Sequence, residues 1–366
     1  KALEQALSDG ALGVSLGLGY APECFYTTQE LIRALAPLQN SGVPVTVHMR
    51  QEGSGVVDAL REMIAVGKAL HTPVEISHLK SIGRENWRKA TPLMLQLMQA
   101  AREDGVEINA DAYPYTAGST QLIHILPPEC QEGGLDALSE NLKDPAFRAK
   151  LRRRMETGRD FENISLLVGW DNIVASSVIR PEDRAYEGKT IAEIAKMQGK
   201  DPYDCAFDLL SGEHCAISMI DFITAEEDIE AILRDDTTCV ISDSTYPTHG
   251  LLHPRVYGTY ARLFERYVRQ RGTISVEKAV RKVTSLPAKR LRLAAKGRIA
   301  PGMDADVNVF TLDRLHEAAT YDHPDLRERG MEHVFLAGEA AILHGKRTAA
   351  NCGKVLEGLQ FPQGKH

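Results

Sequence analysis

Strand and helix patterns alternate over the first 115 residues, and this alternation restricts the fold more than any other feature of the chain. Short β-branched runs predict strands, and the longer stretches between them repeat apolar residues at helical spacing. The predicted strands lie at about 11–19, 43–49, 73–79 and 106–112, with helices starting near 28, 54 and 85. A series of βα units gives a parallel sheet with helices on its outside.

Three polar side chains follow predicted strands: His48 in VPVTVHMR, His78 in TPVEISHLK and Asp243 in TTCVISDS. At the C-terminal ends of parallel strands they would meet at one mouth of a barrel. Neutral imidazole binds zinc well, and a carboxylate can take a proton from a water that zinc activates. The pattern predicts a metal-dependent hydrolase. The alternative is that both histidines are structural and that Asp243 caps its own loop.

The regular alternation breaks after Tyr115, and the chain then divides into three predicted parts. Residues 116–236 are richer in charge and helix, and they predict an insertion over the barrel mouth, with ISLLVG and CAISMI as short strands. The insertion would follow the seventh strand of the barrel. We therefore expect a hydrolase barrel over 1–295 and a small C-terminal β domain over 296–366, where Gly and Pro turns separate alternating apolar residues.

Composition restricts the partners and the location. A net charge of −7 gives no support to nucleic-acid binding. Apolar runs stay below the roughly 18 residues that suggest a membrane span, and the N-terminus lacks a signal-peptide pattern. Six cysteines without a C-x-x-C pair favour a reducing, cytoplasmic compartment.

Several motifs resemble the N-acyl-D-amino-acid deacylases (D-aminoacylases) of the amidohydrolase superfamily. They are HMR at 48–50, ISHLK at 76–80, DAYPYTAGST at 111–120, HPRVYGTY at 253–260 and GRIAPGMDADVNVF at 297–310. The resemblance runs over nearly the whole chain. It implies a (β/α)8 barrel of the TIM type, with a β-sandwich built from both chain ends.

The resemblance also implies an activity and a set of site residues. The activity is zinc-dependent hydrolysis of the amide bond of N-acyl-D-amino acids, a small-molecule substrate, with the D configuration implied by the resemblance alone. One or two zinc ions would be bound by His48, by His78 and by a cysteine of an early barrel strand, with Asp243 as general base and acid. The residues implied to hold the substrate carboxylate are Lys80, Tyr113, Ser119 and Arg255.

The chain departs from the family pattern in two places. It begins at the pattern's fourth barrel strand, so the His-rich first strand and the cysteine-bearing strand have no counterpart, and we expect a fragment of a longer natural chain. By position, Cys24 does not replace the missing cysteine. Ser244 follows Asp243 where the family usually has glycine. His249 and His253, in nearby loops, either contact substrate or shape the loop.

Two other functions remain open from the sequence. A cyclic amidase of the dihydroorotase or hydantoinase kind often carries a modified lysine on its fourth strand, and ALGVSLGLG contains no lysine. The other alternative is an inactive, truncated barrel, because an incomplete barrel leaves two open sheet edges.

Overall fold

A computed structural model describes residues 1–245 and 250–356. The strands in these residues are β1 (Val14–Gly17), β2 (Val45–His48), β3 (Val74–Ile76), β4 (Ile108–Ala112), β5 (Ala117–Gln121), β6 (Ile173–Ser177), β7 (Ser218–Phe222), β8 (Thr238–Val240), β9 (Val307–Phe310), β10 (Met331–Leu336), β11 (Glu339–Leu343) and β12 (Lys346–Arg347).

The α-helices of the same residues surround these strands. They are α1 (Ala2–Ser8), α2 (Thr28–Ala34), α3 (Val56–Leu70), α4 (Ala90–Glu103), α5 (Gly134–Asn141), α6 (Pro145–Thr157), α7 (Ile164–Val168), α8 (Ile191–Gln198), α9 (Pro202–Gly212), α10 (Glu226–Arg234), α11 (Arg255–Arg262), α12 (Val276–Val283) and α13 (Ser285–Arg290). A π-helical segment, Leu263–Gln270, continues α11. None of the helices that the structure describes is long and apolar enough to cross a bilayer.

A five-stranded parallel sheet forms the centre of the molecule. Its order is β1-β2-β3-β4-β8, and every neighbouring pair is parallel. Val45 pairs with Val14 on one side and with Val74 on the other. The apolar side chains of these strands pack with the buried faces of α3 and α4 in one hydrophobic core, as expected for βα units whose helices cover a parallel sheet. Consequently the C-terminal ends of all five strands lie along one edge.

The segment between β4 and β8, which we call the insert (residues 116–236), has its own sheet and core. Its antiparallel strands have the order β5-β7-β6, and Ser119 pairs with Ile220. Helices α5 to α9 pack around a second core, separate from that of the parallel sheet. Apart from its last helix, α10, which packs against α4, β4 and β8, the insert therefore forms a small α+β unit at the C-terminal edge of the parallel sheet.

One predicted strand of the insert was wrong. ISLLVG forms helix α7 instead, because the Asn163 side chain accepts a hydrogen bond from the Leu166 N–H and caps the helix. A short apolar run cannot be assigned to strand or helix by periodicity alone. The predicted strand in CAISMI is present as β7, displaced towards its C-terminal end.

The C-terminal residues form one antiparallel sheet of order β12-β11-β10-β9. Gly338, with φ +82°, lies in the tight turn between β10 and β11, a conformation that glycine adopts without steric cost. The Phe310 ring of β9 packs 5.5 Å from that of Phe264 in the π-helical segment, between ring centroids. The division of the chain into domains near residue 295 stays a prediction.

Candidate active site

All the site residues predicted from the sequence line one pocket, at the C-terminal edge of the parallel sheet. The empty space of the pocket, including the part that is open to solvent, is about 560 Å³. Its lining residues are Gly19, Tyr20, His48, Glu52, His78, Lys80, Ile82, Tyr113, Gly118, Ser119, Thr120, His124, Glu162, Ile164, Asp221, Ile223, Asp243 and Arg255. Five of the predicted residues lie at, or just beyond, the end of a parallel strand, whereas Ser119 lies within β5 and Arg255 begins α11. Their roles remain predictions.

The two histidines face each other across the base of this pocket. The Nδ1 atom of His48 lies 3.1 Å from the Nε2 atom of His78. Two nitrogen ligands with zinc bonds of about 2.0–2.1 Å at a tetrahedral angle are separated by about 3.3 Å. Burial lowers the pKa of His48 to about 3, so its ring is neutral near neutral pH and its nitrogen can bind a metal. The donor set and its spacing thus fit a zinc ion.

Glu52, which the sequence reasoning missed, packs behind both rings. Its Oε1 lies 3.0 Å from Nδ1 of His78 and 2.7 Å from Nζ of Lys80, and its Oε2 lies 3.9 Å from Nε2 of His48. These are the ring nitrogens that point away from the gap between the histidines. Burial opposes its ionisation, yet the nearby Lys80 cation holds the pKa of Glu52 well below its usual range.

Glu52 therefore lies where a carboxylate that does not bind the metal itself orients a metal-binding histidine by a hydrogen bond, which we call an outer carboxylate. Glu52 is also close enough to both rings for the three side chains to form a group that could hold a metal directly. Lys80 Nζ lies 2.7 Å from Nδ1 of His78 as well. If Nε2 of His78 held a metal, Nδ1 would carry the proton and donate to Glu52; the Lys80 ammonium, which cannot donate to a protonated nitrogen, would then donate to Glu52 only. The sequence signal for Glu52 is slight: a carboxylate four residues after His48, in the loop that follows the same strand.

The backbone is left-handed at two of the predicted site residues. His78 has φ 39° and Asp243 has φ 49°, a region that is uncommon for residues other than glycine. The Asp111 carboxylate accepts a hydrogen bond of 2.5 Å from the His78 N–H, which fixes the turn after β3. Burial raises the pKa of Asp111 to about 6. Such turns at two strand ends direct the imidazole and the carboxylate into the pocket.

Arg255 connects the remaining predicted residues. Its Nη1 lies 2.7 Å from Oδ2 of Asp243, and its Nη2 donates to the backbone oxygen of Ser119 at 3.2 Å. The guanidinium lies 4.8 Å from the centre of the Tyr113 ring. Arg255 is 2% exposed, and within the described ranges its buried Nε has no hydrogen-bond partner. A buried donor without a partner is costly, and because the atom itself is buried, a ligand oxygen could reach it only if the guanidinium moved.

His253 shapes the loop that precedes α11. Its Nδ1 accepts from the Arg255 N–H at 2.9 Å, and its Nε2 lies 3.1 Å from the Ala117 oxygen. Burial lowers the pKa of His253 well below its ordinary value. Of the two functions left open for this histidine, the contacts favour the structural one. His249 lies outside the described residues.

Tyr20 is a second residue that the sequence reasoning missed. Its ring stacks on His48 with centroids 4.4 Å apart, and its hydroxyl lies 3.3 Å from Nδ1 of His48. Burial raises the pKa of Tyr20, so the phenol stays protonated and can donate a hydrogen bond into the pocket. At the neighbouring Gly19 a Cβ atom would lie 2.7 Å from Nε2 of His48, so this approach requires glycine.

Comparison with known proteins identifies the family of the chain. A family model described as "Amidohydrolase family" matches residues 39–342. A D-aminoacylase of Alcaligenes xylosoxydans xylosoxydans is 32% identical over 356 residues, which is 96% of this chain and 63% of that protein. The chain therefore spans less than two thirds of the length of that relative.

Solved structures agree with this result. A crystal structure of D-aminoacylase superposes with a TM-score of 0.77 at 30% identity, over 97% of this chain and 64% of the other. An N-acyl-D-glutamate deacylase from Bordetella bronchiseptica, complexed with zinc and a phosphonate inhibitor, gives 0.78 at 28% identity, over 97% and 66%. The predicted resemblance and the TIM-like barrel class are confirmed. On the evidence of the matched family model and of these structures, this chain belongs to the amidohydrolase family.

Proposed function

We propose that this protein hydrolyses N-acyl-D-amino acids to a carboxylate and a free D-amino acid with the help of bound zinc. The observation that supports this most directly is the pair of facing nitrogens on His48 and His78, 3.1 Å apart, in the same pocket as the Asp243–Arg255 pair. The D configuration is taken from the relatives, which are a D-aminoacylase and an N-acyl-D-glutamate deacylase.

His48 Nδ1 and His78 Nε2 would hold the metal. When bound, a zinc ion polarises the amide carbonyl and lowers the pKa of water. Glu52 orients His78 through Nδ1 and holds Lys80 in place. The number of ions, one or two, stays a prediction.

Asp243 would move the proton. Its carboxylate is partly accessible, with 34% of the side chain exposed, and it lines the pocket together with both histidines. It takes a proton from the attacking water and gives it to the nitrogen of the leaving amine. Without this second transfer the amine would depart as a strongly basic anion.

The substrate carboxylate would bind at Arg255 and Lys80. The Arg255 side chain lines the pocket, and an arginine can hold a carboxylate through two parallel bonds. Binding there would compete with Asp243 for Nη1, now 2.7 Å away. Substrate would in this way release the Asp243 carboxylate for proton transfer. Tyr113 and Ser119, on either side of Arg255, line the same part of the pocket.

Replacing Asp243 tests this proposal. Turnover of N-acetyl-D-amino acids by Asp243→Asn should fall by at least about a hundredfold, the range typical for a positioned acid–base group, while zinc binding is retained. Residual turnover within tenfold of the wild type would contradict the role of Asp243. Faster hydrolysis of hydantoins than of N-acetyl-D-amino acids by the wild type would favour a cyclic amidase instead. The cytoplasmic location and the absence of a nucleic-acid partner stay predictions.

A further inference from the structure

The relatives do not decide which amino-acid side chain the pocket accepts, because a D-aminoacylase and an N-acyl-D-glutamate deacylase match at similar identity. The pocket itself has two sides. Most of the candidate site residues lie on the loops of the parallel sheet, and Arg255 lies at the start of α11, whereas the opposite wall, which includes the candidate Ser119, comes from the insert. The insert residues on this wall are Gly118, Ser119, Thr120, His124, Glu162, Ile164, Asp221 and Ile223. A substrate held by its carboxylate and its amide on the sheet side presents its side chain to this wall.

Two carboxyl groups stand on the insert wall. Asp221, on β7, is 3% exposed, and its Oδ1 would lie 3.0 Å from a Cβ atom on Gly118. Glu162 accepts hydrogen bonds through one oxygen from the N–H groups of Glu52 and Gly53. Within residues 1–245 and 250–356, neither carboxyl lies within 4.0 Å of a lysine, arginine or histidine nitrogen, although the Lys80 and Arg255 cations are near enough to Asp221 to lower its pKa, against the larger effect of burial. Burial raises the pKa of Asp221 to about 6, so Asp221 is mainly ionised at pH 7.5.

The cations of the pocket already have partners. Among the residues that the structure describes, Lys80 and Arg255 are the lysine and arginine that line the pocket, and they contact Glu52 and Asp243 at 2.7 Å each. They would also take the substrate's α-carboxylate. Burial lowers the pKa of His124 to about 4, so this ring is neutral at pH 7.5 and supplies no positive charge.

The rest of the wall is apolar. Ile164 and Ile223 come from the insert, and Ile82 comes from the loop after β3. A second carboxylate on the substrate would meet the ionised Asp221 there, and like charges brought together in a buried site cost several kcal/mol. Burial raises the pKa of Glu162 to about 7, so Glu162 is only partly ionised at pH 7.5 and adds less to this repulsion. An aliphatic side chain would instead pack against the isoleucines, and an ammonium group would form an ion pair with the Asp221 carboxylate.

We propose that this pocket accepts N-acyl amino acids with uncharged or positively charged side chains and rejects those with acidic side chains. The inference rests on the proposed function for the positions of the amide and the α-carboxylate. Asp221 is its specificity-determining residue, acting by direct contact with the substrate side chain.

The test compares N-acetyl-D-leucine, N-acetyl-D-lysine and N-acetyl-D-glutamate at pH 7.5, both by turnover and by calorimetric binding to metal-depleted protein. We expect the leucine and lysine compounds to be preferred over glutamate by at least about tenfold in kcat/KM and in affinity, since tenfold corresponds to 1.4 kcal/mol. Asp221→Asn should narrow this ratio at least about threefold. Asp171→Asn, at an exposed position of the same insert, should leave the ratio unchanged.

The outcomes separate the two proposals. Preferential binding of leucine and lysine compounds without turnover would reject the proposed hydrolysis and keep the side-chain preference. Equal or better binding of N-acetyl-D-glutamate, or no binding of the three compounds, would overturn the preference whatever the turnover. An unchanged ratio in Asp221→Asn would remove this residue from the explanation.

Discussion

Glu52→Gln tests the interpretation of the metal site most sharply. The Glu52 side chain is 3% exposed and contacts Lys80 at 2.7 Å and Nδ1 of His78 at 3.0 Å. Glutamine keeps one oxygen acceptor but loses the charge that stabilises Lys80 and the His78 N–H donor. Loss of an outer carboxylate typically weakens metal binding by about 10–100-fold, or about 1.4–2.7 kcal/mol. We expect zinc affinity to fall within this range.

The same substitution should also destabilise the metal-free protein. The Lys80 side chain is 9% exposed, and removing one partner of a buried ion pair typically costs about 3–5 kcal/mol. Because the glutamine oxygen still accepts a hydrogen bond, we expect a loss near the lower end of that range.

Zinc affinity would be measured by competition with a chromophoric chelator, and stability by urea unfolding of the metal-free protein. Glu62→Gln is the matched control, because Glu62 pairs with Arg50 at 2.9 Å outside the pocket. It should leave zinc affinity unchanged. A zinc affinity of Glu52→Gln within twofold of the wild type would refute the role of Glu52 in orienting the metal-binding His78. A loss of more than about a thousandfold, well beyond the outer-carboxylate range, would instead indicate that Glu52 binds the metal directly.

Three further predictions follow from the same geometry. Arg255→Lys removes Nε and the paired geometry of the guanidinium, so kcat/KM for N-acetyl-D-amino acids should fall about 10–100-fold, the value of one or two charged hydrogen bonds. Zinc affinity should stay constant, and a loss of zinc binding would contradict the role of Arg255 in holding the substrate carboxylate. Gly19→Ala places a methyl group 2.7 Å from Nε2 of His48 and should cost about 1–3 kcal/mol of stability in urea unfolding. Gly353→Ala, where no atom of the described residues beyond its chain neighbours would lie within 4 Å of the added Cβ, should cost nothing measurable. Burial raises the pKa of Asp221 from 3.8 to about 6, so the wild type loses stability relative to Asp221→Asn as the pH rises through this range. The loss is about 2.4 kcal/mol between pH 4 and pH 8, at 1.36 kcal/mol per pKa unit and with the unfolded carboxyl already partly ionised at pH 4. Urea unfolding at pH 4 and pH 8 should show this loss, and a stability difference that does not depend on pH would contradict it.

The sequence by itself determined the parallel sheet and the position of its catalytic edge. Period-2 and period-3.6 apolar patterns are local properties, so β2, β3 and β4 could be located to within a few residues. Residues at the C-terminal ends of parallel strands converge whatever the loops do, which is why His48, His78 and Asp243 could be expected in one pocket. The family motifs then supplied Lys80 and Arg255, which spacing alone does not identify.

Only the tertiary structure decided which groups surround these residues. Glu52 contacts Lys80, 28 positions away, through a loop whose conformation has no sequence period. Glu162 accepts a hydrogen bond from the Glu52 N–H, 110 positions away, and Asp221 enters the pocket from a strand that pairs with β5. The same limit applies to α7, where a cap by Asn163 and packing in the insert core selected helix over strand for a short apolar run. Burial and pairing between distant segments are set by how the insert docks on the sheet edge, and these contacts fix the charge that the substrate side chain meets.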